Sequence, residues 1–286
     1  MSTLAQHAVI HDAVVLITGA ARGMGEIYAR MAVAQGARAV AIWDVDEAAA
    51  SALAASLDRA SCTVRPFVVD VSKLEDVRRG VAETREQLGE VDVLINNAGI
   101  VKGGPFWEHD PERDIERTMQ VNALAPMWLT HELLPSMMLN RSRPKRILNI
   151  ASAAGTIANP NMSVYAASKW ALLGWSESLR LELTQAGCTH VAVTTFCPSF
   201  VSTGMFEGAR GPLLTPIMTP RQATSAAWRG MLAGTPVVTK PWTVKLAMAM
   251  RGVLPTRAWD AIAGRVFHVY SSMDKFTGRG GSGPNS

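Results

Sequence analysis

Cysteine is scarce and unpatterned in this chain. Its 286 residues hold three, Cys62, Cys188 and Cys197, with neither a C-x-x-C pair nor a metal-ligand spacing. That argues against a disulfide scaffold, leaves no metal expected, and implies free, buried thiols in a reducing, cytoplasmic setting. Also missing is any apolar run near the ~20 residues a membrane span needs. No basic segment followed by an apolar one precedes the strand-like run reached by Val14, so no signal peptide is expected. Long Lys/Arg runs are absent too. The formal net charge is only +4, and nucleic acid is not an expected partner. Finally, no Pro/Gly/Ser-rich linker breaks the chain. With 48% hydrophobic residues, positions 1–286 read as one large α/β domain.

What is present is an alternation of short apolar runs and helical stretches. Ala13 to Ile17 reads as a fully buried strand, followed by a glycine cluster and a helix to Gln35 that Gly36 stops. Ala39 to Trp43 is a second strand ending at Asp44, with Asp46 placed to cap the Ala-rich helix after it. Val64 to Val69 is a third, ending at Asp70. Ser72 and Glu75 then have capping-box spacing ahead of a helix to about Leu88. Val91 to Ile95 is a fourth strand, ending in Asn96-Asn97-Ala98-Gly99. Asp110-Pro111 starts a long helical region that carries Asn122 and runs to about Asn140. Arg146 to Ala151 and Val191 to Phe196 are the fifth and sixth strands. This order predicts a doubly wound, mainly parallel sheet flanked by helices.

Between the last two strands lies Ser163-Val164-Tyr165-Ala166-Ala167-Ser168-Lys169. Four-residue spacing puts Tyr165 and Lys169 on one helix face, where an ammonium can favour ionisation of a phenol whose free pKa is about 10. Tyr-x-x-x-Lys alone is commonplace, so its meaning depends on the rest of the chain. Gly19, Gly23 and Gly25 lie between a strand and a helix, where backbone N–H groups and the positive helix end suit a dinucleotide pyrophosphate. Asp44 lies about 20 residues further on. There a carboxylate accepts from ribose hydroxyls and repels a 2′-phosphate, favouring NAD. Arg22 argues the other way, because a guanidinium in the glycine turn suits the 2′-phosphate of NADP.

This ordered set resembles the short-chain dehydrogenase/reductase family. The matching residues are Thr18-Gly19, Gly23-x-Gly25, Asp70, Asn96 to Gly99, Asn122, Ser152, Tyr165-x-x-x-Lys169 and Pro198 to Thr203, over about the first four-fifths of the chain. The resemblance implies a single Rossmann-type NAD(P)-binding domain. It implies a cofactor contacted by Gly19, Arg22, Gly23, Met24, Gly25, Asp44, Asp70, Val71, Asn97, Ala98, Gly99, Tyr165, Lys169, Pro198, Val201 and Thr203. Asp70 would bond the adenine edge and Thr203 the carboxamide. Ser152 would hold the substrate oxygen, and Tyr165 would give or take its proton. Lys169 would bind the nicotinamide ribose and lower the phenol pKa, and Asn122 would hold a proton-relay water. Pro198-Ser199 departs from the family's usual Pro-Gly.

The wording Cys197-Pro198-Ser199-Phe200-Val201-Ser202-Thr203-Gly204, with Trp43-Asp44 and Ala151 to Gly155, is similar to the retinol dehydrogenase and 17β-hydroxysteroid dehydrogenase type 11 branch. That branch handles lipophilic secondary or allylic alcohols. Several members carry an N-terminal membrane anchor, which is not read here. The implied partner is a small hydrophobic alcohol or ketone. The irregular 199–218 stretch, with Phe200, Met205, Phe206, Leu213, Leu214 and Met218, reads as a substrate lid. Residues 240–273 form a basic, Trp-containing helical extension that packs on the sheet, supports a dimer or rests on a membrane surface. Thr277 to Ser286 reads as a disordered tail. The family suggests a homodimer or homotetramer through the helices around 111–140 and 162–186. The alternatives are a catalytically silent dinucleotide-binding regulator and a peripheral membrane lipid, retinoid or steroid dehydrogenase.

Overall fold

A computed structural model describes residues 9–208, 211, 215–273 and 276–277. Leu213 and Leu214, and nearly all of the Gly/Ser-rich tail, lie outside the described residues. Seven parallel strands form one sheet in the order β3-β2-β1-β4-β5-β6-β7. They are β1 (Val14–Thr18), β2 (Ala39–Asp44), β3 (Thr63–Val68), β4 (Val93–Asn96), β5 (Lys145–Ile150), β6 (Val191–Pro198) and β7 (Val237–Lys240). Every residue of β1, β2, β4 and β5 is buried, as expected where helices cover both faces of a parallel sheet.

On one face lie α1 (Gly23–Ala34) and α2 (Glu47–Leu57), with α6 (Pro220–Ala233) beyond them. Tyr28 of α1 stacks on Trp228 of α6 at 6.1 Å between ring centroids. On the other lie α3 (Leu74–Leu88), α4 (Ala125–Leu139) and α5 (Ser163–Gln185). Val77 and Val81 of α3, Leu129 and Leu133 of α4, and Leu179 and Leu183 of α5 pack there against Leu16, Leu94 and Ile147 of the sheet. Gly80 is required at its contact: an added Cβ would sit 2.9 Å from the Trp43 ring, whose Nε1 donates to Thr84 Oγ1 at 3.0 Å. Two further helices, α7 (Trp242–Val253) and α8 (Thr256–Ala261), follow β7.

Several expectations are corrected. Ser72 and Glu75 do not form a capping box, because the Ser72 hydroxyl donates to Asp70 Oδ1 at 2.7 Å and α3 starts at Leu74. The fourth strand begins two residues later than its apolar run, because Asp92 Oδ2 accepts from Val14 N and Asp92 Oδ1 takes the Lys145 ammonium. The seventh strand was unforeseen. Val237–Lys240 is only four residues, yet it pairs with Thr195 to Pro198. The helical region after Asp110 is not uniform. It contains π-helical turns at Pro111–Glu116 and Gln120–Leu124, the second holding Asn122. By contrast, Asp46 caps α2 as its position suggested, accepting from Ala49 N. Thr219 and Gln222 form the capping box of α6.

Candidate active site

The sheet order reverses between β1 and β4, opening a crevice at the carboxyl ends of the strands. Thr18 Oγ1 there accepts the backbone N–H groups of Asn97 and Ala98 at 3.1 and 3.0 Å. Asn97 Nδ2 in turn donates to the carbonyls of Thr18 and Gly19, each at 2.9 Å. These bonds fix the glycine turn against the end of β4. Gly19 and Gly23 have φ of +59° and +62°, and no atom lies within 4 Å of a Cβ built on Gly23. A Cβ on Gly25 would collide with the Gly19 carbonyl and lie 2.8 Å from Asn97 Nδ2. Met24 packs on the core, and α1 begins with no side-chain cap on its first N–H groups. This open, uncapped cradle fits a dinucleotide pyrophosphate.

Asp44 ends β2 and is nearly buried, with Oδ2 accepting from Ala21 N at 2.9 Å and Oδ1 from Asp46 N at 3.1 Å. Arg22 is paired with Asp46 at 3.1 Å and is not free in the turn. Asp70 accepts from the Ser72 N–H and hydroxyl and lies 3.7 Å from Arg117. Burial pushes its carboxyl up, but the Ser72 hydrogen bonds and Arg117 outweigh this and hold it below the usual range. Val71 beside it is buried.

Tyr165 and Lys169 occupy the first turns of α5, both buried. Lys169 Nζ donates to Ile150 O at 2.8 Å and lies 5.8 Å from the Tyr165 ring centroid. A Cβ on Gly99 would stand 3.5 Å from that ammonium and 3.3 Å from Asn122 Oδ1, so Gly99 brings the two groups to one place. The Asn122 amide accepts from Ile100 N and donates to Ile100 O and Ser168 Oγ, tying the π-helical turn to the loop after β4. Ser152 Oγ accepts from Ala154 N at 3.1 Å and faces Tyr165. Burial pushes the Tyr165 phenol up to about 12, with the Ser152 hydrogen bond pulling the other way. Burial likewise pulls the Lys169 ammonium down to about 8. Desolvation dominates both groups, and Ser152 supplies the opposing pull on the phenol.

Cys197 is a member of this cluster that its sequence position did not advertise. Burial pushes its thiol up to about 12, against the influence of Lys169 and of a backbone hydrogen bond from Ser152. The signal was available: pairing Ile150 with Phe196 sets Cys197 beside the residues that end β5. Pro198 ends β6, Val201 bridges Met218, and Thr203 N donates to Val201 O.

Over Ser152 opens a cavity of about 190 Å³. Its walls include Ile157, Met162, Phe200, Phe206, Val244 and Trp259, and among the described residues no charged side chain lines it. Phe206 meets the Tyr165 ring edge-on at 5.8 Å and Phe200 at 5.3 Å, so part of the expected lid covers the phenol. Outside that lining, Arg251 stacks 4.5 Å over the Trp170 ring of α5 and donates to Thr156 O.

Comparison with known proteins agrees with this geometry. A model of the short chain dehydrogenase family matches residues 13–212. Estradiol 17-beta-dehydrogenase 11 of Rattus norvegicus is 33% identical over 254 residues, which cover 88% of this chain and 83% of that protein. Epidermal retinol dehydrogenase 2 of Mus musculus is 33% identical over 271 residues, 93% and 85% of the two chains. A short-chain dehydrogenase/reductase from Burkholderia phymatum in complex with NAD shares the fold at TM-score 0.76 and 23% identity, covering 97% of this chain and 99% of that one. A short-chain dehydrogenase from Sphingobium yanoikuyae in complex with NADPH gives 0.70 at 28% identity, covering 88% and 93%. The chain belongs to the short-chain dehydrogenase family and is an oxidoreductase.

Proposed function

We propose that the chain is an NAD(P)-dependent alcohol dehydrogenase or ketone reductase that interconverts a bulky, hydrophobic secondary or allylic alcohol and its ketone or aldehyde. The observation that carries this reading is the uncharged, apolar cavity whose polar corner is Ser152 backed by Tyr165. A bound nicotinamide supplies or accepts the hydride. Ser152 orients the substrate oxygen, and Tyr165 donates its proton to that oxygen in reduction or removes it in oxidation. Lys169 is placed to hold the nicotinamide ribose. Asn122 positions the loop and, with Lys169, lines the route by which protons are exchanged. Gly19, Gly23, Gly25, Asp70, Val71, Asn97, Ala98 and Gly99 cradle the dinucleotide, with Pro198, Val201 and Thr203 at its nicotinamide end.

NAD is the preferred cofactor. Asp44 supplies a carboxylate where a 2′-phosphate would sit, and Asp46 already occupies the Arg22 guanidinium. Phe200 and Phe206, the described aromatics of the 199–218 stretch, serve as a lid over Tyr165 in a single domain. Three buried, free thiols support a cytoplasmic setting. A homodimer or homotetramer is supported by the exposed Leu124 and Leu181 on the long helices. The test is a reductase screen with NADH and NADPH against ketones graded by bulk. Turnover rising with apolar bulk, and favouring NADH, is expected. A preference for small polar ketones, or no turnover with either nucleotide, would overturn the reading.

A further inference from the structure

We infer that the outer face of α7 docks on an anionic lipid surface, so that apolar substrate passes from lipid into the cavity. Trp242, Leu246, Ala249 and Val253 recur at helical spacing along α7 and all point outward. Trp242, Leu246 and Val253 are 67%, 44% and 84% exposed. Val244, Ala247 and Met250 occupy the other side and line the cavity. Trp242 and Leu246 do both, forming cavity wall and outer surface together. The stripe is therefore the far side of a wall one helix thick.

Charge selects the occupant. From Gly208 to Trp259 the sequence has Arg210, Arg221, Arg229, Lys240, Lys245, Arg251 and Arg257 and no Asp or Glu. Lys240, Lys245, Arg257 and Arg265 are exposed, and among the described residues none of them is in a salt bridge. Asp260, the nearby carboxylate, accepts from the Tyr270 hydroxyl at 2.6 Å. An apolar stripe containing a tryptophan, bordered by unpaired cations, is the pattern of a helix lying in the headgroup layer. A second copy of the chain would set these same cations against each other across a twofold contact, which disfavours it as the occupant.

The experiment is flotation of the full chain with phosphatidylcholine vesicles, with and without about 30% phosphatidylserine. A double variant, Lys245→Glu with Val253→Glu, alters side chains that touch neither the cavity nor the dinucleotide cradle. Binding to the anionic vesicles, weakened at least about tenfold by the variant and by about 0.5 M salt, is expected. Turnover of a water-soluble ketone should be unchanged in the variant. No vesicle binding, binding equal on neutral and anionic vesicles, or a Val253-dependent dimer in place of vesicle binding would each overturn the inference. Should the variant not fold, the salt and lipid dependence of the unaltered chain decides. Flotation needs no turnover, so its failure is distinct from failure of the proposed reaction.

Discussion

Replacing Lys169 with methionine should stabilise this protein while abolishing turnover. The ammonium is buried, and its pKa falls from 10.5 to about 8 because desolvation disfavours the charged form. That difference corresponds to about 3 kcal/mol of unfavourable free energy at neutral pH. Methionine matches the lysine stem in length and leaves no charge to bury. The loss is the 2.8 Å bond to Ile150 O, which costs about 1 to 2 kcal/mol if the carbonyl finds no new donor. The net gain of about 1 to 2 kcal/mol should raise the melting temperature by roughly 2 to 4 °C in a chain of this size. The sign of the pH dependence follows from proton counts. Between pH 8 and 10.5 the unfolded lysine holds a proton that the folded one has released, so the unaltered protein gains stability as pH rises. The advantage of Lys169→Met should therefore shrink by about 1 kcal/mol from pH 7 to pH 9. Tyr165 is common to both proteins and titrates above this window. Thermal unfolding by circular dichroism at the two pH values is the assay. A variant that melts below the unaltered protein, or an advantage that widens with pH, would refute the desolvation argument.

Tyr165→Phe should lower kcat at least about a thousandfold while nicotinamide binding, read by fluorescence titration, changes less than about threefold. With the phenol at about 12, reduction should be flat between about pH 6 and 8, whereas oxidation should rise by up to tenfold per pH unit; parallel profiles would contradict this proton assignment. Gly25→Ala should abolish dinucleotide binding in a calorimetric titration, because its Cβ meets the Gly19 carbonyl and Asn97. Asp46→Ala removes the α2 cap and should cost about 1 kcal/mol in denaturant unfolding. The same change releases Arg22 and should shift discrimination toward NADP, measured as the ratio of kcat/KM values.

The central sheet and its cradle were legible because they rest on local rules. A buried parallel strand must be an apolar run, and the turn after it must be glycine where an added Cβ would strike backbone, as at Gly25. Tyr165 and Lys169 were legible for the same reason, since helical spacing alone sets them side by side. What failed depended on partners distant in sequence. Val237–Lys240 is too short to be read as a strand without the edge of β6 that it extends. Ser72 has two eligible partners, and only the folded position of Asp70 decides between them. The phenol and ammonium were read from their mutual attraction, which spacing reveals. Their desolvation depends on the sheet and lid that enclose them, and spacing carries no such information. The stacking of Arg251 on Trp170 joins residues 81 positions apart and had no local signature at all.

The cavity draws its walls unevenly from the chain. Six of its lining residues lie between Ser152 and Met162, and the other thirteen lie between Ser199 and Val269. The dinucleotide cradle and the acid/base pair lie upstream of Ser199, apart from Val201 and Thr203. Most of the substrate wall is thus written after the residues that carry the reaction. A chimera that exchanges only residues 204–273 with a relative replaces eleven of the nineteen lining residues, and should shift substrate range toward that relative while keeping this chain's cofactor.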